Sequence, residues 1–101
     1  MTDQLAAGEK LVSSALTITE HIAGVKAKNA AEQLLAINGI TYIDISQEIA
    51  ILAGALQHKH TLKIDDVIHL ATSIHTKCSM FITNDQKLAK VAAKYATVIN
   101  L

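Results

Sequence analysis

Residues 62–88, LKIDDVIHLATSIHTKCSMFITNDQKL, constrain this chain more than any other stretch. Val67, Ile68, Leu70, Ala71 and Ile74 recur at helical spacing and mark the buried stripe of one helix. Asp65 and Asp66 stand at its start, where a capping side chain and a first-turn carboxylate are both favoured; Asp65 reads as the cap. Residues 79–82, SMFI, form a short hydrophobic strand bounded by polar residues. Thr83, Asn84, Asp85 and Gln86 then open a further helix, and Thr83 with Gln86 has the spacing of a capping box. Parallel strands need helical crossovers, so this helix–strand–helix order belongs to an α/β sheet. Ligands of such sheets sit beyond the carboxyl ends of the strands, and Asp85 falls at such an end.

The rest of the chain repeats the alternation. Residues 3–12 read as a short helix weakened at Gly8, residues 13–18 (SSALTI) as a buried strand, and residues 19–22 as a helix start. Residues 29–37 form a stronger helix stopped by Asn38 and Gly39. Residues 40–45 (ITYIDI) alternate as a strand, and Ser46 caps a helix that buries Ile49, Leu52, Ala53 and Leu56. A helix over 85–94 and a strand over 96–101 close the order. The expected fold is α/β, a mostly parallel sheet of about four strands with helices on both faces, in one domain over 1–101.

Composition narrows the function. The formal net charge is zero, from nine basic and nine acidic residues. A protein that holds nucleic acid by bulk electrostatics is usually basic, so strong nonspecific binding is not expected. Aromatic residues are few (Tyr42, Phe81, Tyr95), which rules out base stacking as a major device. Cys78 is the one cysteine, so no intramolecular disulfide can form. With no basic, apolar leader at the N-terminus and no run near the ~20 apolar residues of a membrane span, a cytoplasmic protein with no membrane partner is expected. The pairs His58/His60 and His75/Cys78 lack the closed four-ligand spacing of structural zinc, and no phosphate-binding glycine loop is present.

The run Asp66-Val67-Ile68-His69-Leu70-Ala71-Thr72, followed by Phe81-Ile82-Thr83-Asn84-Asp85, resembles the C-terminal half of a PIN domain. The resemblance extends over about residues 13 to 101. That family comprises metal-dependent ribonucleases, among them the toxins of bacterial and archaeal toxin–antitoxin pairs. It implies that Glu20, Asp66 and Asp85 are catalytic metal ligands, with Glu20 following the family's second strand, Asp66 opening the D-x-x-H helix and Asp85 lying in the T-N-D turn. It implies Mg²⁺ or Mn²⁺ as cofactor, hard cations that prefer oxygen ligands, and RNA as substrate. An antitoxin protein becomes a candidate partner. His69, one turn after Asp66, fits a bond to Asp66 or an RNA phosphate and equally a partly buried structural role; Thr83 and Asn84 fit orientation of the metal's water or the substrate, with capping as the alternative. Lys87 stands where many members carry a further acid.

Read alone, each acid also has a plain structural role: Asp66 and Asp85 as first-turn carboxylates, Glu20 as a solvated side chain. PIN domains open with a strand ending in an aspartate followed by Thr or Ser. No such stretch precedes Glu20, and Asp3 follows no strand, so the chain reads as lacking the first strand and helix. Either the reading frame is shortened or the fold is repaired, by direct pairing of the 13–18 and 79–84 strands or by oligomerisation through the open edges, and a homodimer or larger oligomer is expected. The alternative to an active ribonuclease is a catalytically impaired PIN domain serving as an interaction or oligomerisation module.

Overall fold

The computed structural model describes residues 11–100. In chain order it contains β1 (Leu11–Ser14), α1 (Leu16–Val25), α2 (Ala30–Leu35), β2 (Ile40–Ile43), α3 (Gln47–His60), α4 (Ile64–His75), β3 (Met80–Thr83), α5 (Gln86–Ala92) and β4 (Thr97–Asn100). The fold is α/β, and both strand pairings are parallel. The ladders are separate, however. β1 pairs with β2, from Leu11↔Ile40 to Ser14↔Ile43, and β3 pairs with β4, from Met80↔Thr97 to Thr83↔Asn100. Among the described residues β1 and β3 exchange no ladder hydrogen bonds, so the expected direct pairing of these two strands is not formed.

The sequence order of elements from the first strand onward is the one observed, but the first boundary moves. The strand lies at residues 11–14 rather than 13–18, so Leu11 and Val12 belong to a strand and not to a helix; residues 3–10 of that expected helix fall outside the described residues. The physical reason is a hydroxyl. Ser14 Oγ accepts the amide of Leu16 at 3.1 Å, and Ala15 already has helical dihedrals, so the chain turns out of the strand two residues after Ser13. Buried Ser13 and Thr17 then satisfy each other through a 2.8 Å hydroxyl–hydroxyl bond across one helical turn.

The helix ends show which signals worked. Ser46 caps α3, its Oγ accepting from the Ile49 amide at 3.2 Å. The helix expected over 29–37 is shorter: α2 ends at Leu35 with Ala36 as its C-cap, ahead of Asn38 and Gly39, and Gly39 turns the chain into β2 with the left-handed φ of +88° that glycine adopts without a Cβ clash. Asp65 does not cap α4: Lys63 occupies that position without a side-chain bond, and Asp65 Oδ1 accepts from the next amide, Asp66, at 3.0 Å. The capping box of Thr83 and Gln86 is not formed either. Asp85 is itself the cap of α5, accepting from the Leu88 amide at 3.0 Å, while Thr83 Oγ1 accepts from the Asp85 amide.

One hydrophobic core joins the elements. Ile49, Ala53 and Leu56 of α3 meet Val67, Leu70 and Ala71 of α4, with Phe81 of β3 and Leu88 and Ala92 of α5 closing the cluster. α4 is the central element, packed on α3, β1 and α1. Its start is thereby held close to the carboxyl end of β3, which places Asp66 and Asp85 near each other. Among the described residues no helix is long and apolar enough to cross a membrane.

Candidate active site

Asp66 and Asp85 line one cleft of about 220 Å³, together with Thr61, Leu62, Lys63 and Lys87. α4 supplies Asp66 from its first turn, and the turn after β3 supplies Asp85. Burial raises the Asp66 carboxyl above its ordinary pKa; the negative charges of Asp65 and Asp85 raise it further, and Lys63 and His69 oppose them. Two acids at one cleft wall, the charge of one opposing ionisation of the other, form an oxygen donor pair suited to a divalent cation, which removes that like-charge cost. Asp85 Oδ1 also fixes the start of α5.

Glu20 is placed differently. It lies on α1 and is not part of the cleft lining. Its Oε1 accepts from His69 Nε2 at 2.9 Å, with the His69 ring buried and Glu20 43% exposed. The expected bond from His69 to Asp66 is therefore made to Glu20 instead. The other ring nitrogen, His69 Nδ1, is buried without a partner among the described residues. Those residues hold no group of three or more His, Cys, Asp or Glu side chains arranged as a metal site. Thr83 is buried and turned to the Asp85 amide, whereas Asn84 is exposed.

The lysines of the cleft were the less legible part. Lys87 Nζ donates to the Thr61 carbonyl oxygen at 3.0 Å, tying α5 to the turn between α3 and α4. Thr61 presents that carbonyl from a left-handed conformation, φ +54°, as the C-cap of α3. Lys63 is three residues before Asp66, a helix-face spacing that would have pointed to it.

Residues 2–94 match the model of a family described as the PIN domain. The chain belongs to the PIN domain family. A toxin–antitoxin complex from Klebsiella pneumoniae shares the fold at a TM-score of 0.66, with 30% sequence identity. That similarity covers 86% of this chain and 70% of the other. No protein of curated function matches the sequence. PIN domains form a nuclease and toxin family and are generally dependent on divalent metal. Asp66 and Asp85 are the two carboxylates that line the cleft of this PIN domain.

Proposed function

We propose that this PIN domain is an Mg²⁺- or Mn²⁺-dependent endoribonuclease of toxin type, hydrolysing RNA phosphodiester bonds. The observation that carries the reading is the pairing of Asp66 and Asp85 in one cleft, where the charge of Asp85 opposes the ionisation of Asp66. Asp66 and Asp85 would hold the metal. Glu20 is the third acid, with its Oε1 steadied by His69. A bound divalent cation supplies an activated water and charge neutralisation at the phosphate. Thr83 holds the Asp85 backbone in place through the amide, and exposed Asn84 is available to the substrate. A toxin of this kind would have an antitoxin protein as its partner, consistent with the complex in which the similar structure was solved. The cytoplasm is the compartment where such a pair would act.

A gel assay of RNA cleavage with Mn²⁺ tests the assignment. Asp66→Asn and Asp85→Asn should each lower the rate by more than the ~10–100-fold typical of losing an outer-shell residue. Asparagine still caps α5 well, so the Asp85→Asn protein remains folded and a lost activity reports on chemistry. Wild-type rates in both variants would remove these acids from the reaction. A second reading has its own observation: Glu20 is engaged by His69 outside the cleft. On that reading the domain is an impaired interaction module, and neither Mg²⁺ nor Mn²⁺ produces any RNA cleavage.

A further inference from the structure

The net charge of the whole chain is zero, so a polyanionic substrate must be held by local positive charge. The chain has nine lysines and no arginine. Four of the nine gather around the turn from α3 to α4. Lys63 and Lys87 line the cleft that contains Asp66 and Asp85. Next in sequence to Thr61 of the same cleft, His60 shares a 2.9 Å hydrogen bond with Tyr95 Oη, with the two rings edge to face at 6.0 Å. Lys59 and Lys94 stand close enough to His60 to act on it electrostatically. The lysines thus run from the two carboxylates, past Thr61, to the Tyr95 ring.

We infer that this run is a backbone track for single-stranded RNA, with Lys87 and Lys63 seating the phosphates beside the scissile one and Lys59 and Lys94 continuing the path. The inference rests on the nuclease reading and adds how the substrate is gripped. Lys87 is the anchor. An ammonium has three donors, and the Thr61 carbonyl takes one, leaving two for a phosphate oxygen. The same bond already restrains the long side chain, so less conformational freedom is lost when RNA arrives. Lys63 sits at the start of α4 beside Asp66, where its charge offsets the carboxylate that a phosphate would otherwise meet. The half-exposed Tyr95 ring, held against His60, offers one face to an unpaired base; a duplex presents no such base.

Fluorescence anisotropy with a labelled single-stranded RNA tests the track. It is run in Mg²⁺ on the Asp85→Asn protein, so that cleavage does not consume the probe. Adding Lys87→Ala or Lys63→Ala should weaken binding several-fold and reduce the slope of log affinity against log salt by ~0.7 for each phosphate no longer neutralised. Lys77→Ala is the control, since Lys77 follows the far end of α4, ~16 Å from its start. Affinities and salt slopes for the Lys87 and Lys63 variants equal to the Lys77 control would overturn the track. A duplex of the same sequence that binds as tightly as the single strand would overturn it too. Neither result touches the nuclease reading, which stands or falls on cleavage by the wild type and its loss in Asp85→Asn.

Discussion

Burial and the charges of Asp65 and Asp85 hold the Asp66 carboxyl above the ordinary value of 3.8. A raised folded-state pKa means that the folded protein binds this proton more tightly than the unfolded chain. The resulting stability is complete below the unfolded value and is lost as pH rises through the raised folded value. At neutral pH Asp66 is therefore a cost to folding that a neutral side chain would not incur. Asp66→Asn should raise the melting temperature relative to wild type, and the difference should widen from pH 3 toward pH 7. Thermal denaturation across that range checks the sign; a variant less stable than wild type at pH 7 would contradict it. A divalent cation acts in the opposite sense, because it binds the charged form. Millimolar Mn²⁺ should raise the melting temperature of wild type and leave that of Asp66→Asn nearly unmoved.

Among the elements, α4 bears the most. Leu70 is fully buried at its centre, in contact with the core formed by α3, β3 and α5. Leu70→Ala should cost about 2–5 kcal/mol, measured by urea denaturation, because a close-packed site collapses only in part around the lost atoms. This helix was also the most legible in the sequence: Val67, Leu70 and Ala71 are buried, and Ile68 and Ile74 pack beside them as their spacing requires. The cap of α3 was equally legible, since Ser46 acts only three residues away. The β1–α1 boundary was not. A short apolar run suits either a strand or a helix, and the deciding bond comes from the Ser14 hydroxyl. At the site, the shared cleft of Asp66 and Asp85 follows from strand-end topology. The bonds of Glu20 with His69, 49 residues apart, and of Lys87 with Thr61, 26 apart, depend on tertiary packing that periodicity does not encode.

At the scale of the molecule, some apolar residues remain exposed. Ile64 is about two-thirds exposed, and Ile45 is exposed as well. Ile45 and Ile64 border an apolar groove of about 180 Å³ whose walls include Ala50, Gly54, Val67 and Ile68. Large apolar patches are uncommon on monomers, and zero net charge offers little repulsion between copies. The domain should therefore self-associate: light scattering should give a mass near twice 10.8 kDa, and Ile64→Glu, at the groove, should return it toward 10.8 kDa. A concentration-independent 10.8 kDa for the wild type would show that this face is not self-complementary. The split of the strands into two ladders has a consequence of its own. No ladder hydrogen bond links β1–β2 to β3–β4 among the described residues, so side-chain packing carries the cohesion between the two sheets. Such halves can open one at a time. Native-state hydrogen exchange should then resolve two cooperative units, with the amides of β1 and β2 exchanging at one opening free energy and those of β3 and β4 at another. A single shared value for both pairs would show that the core welds them into one unit.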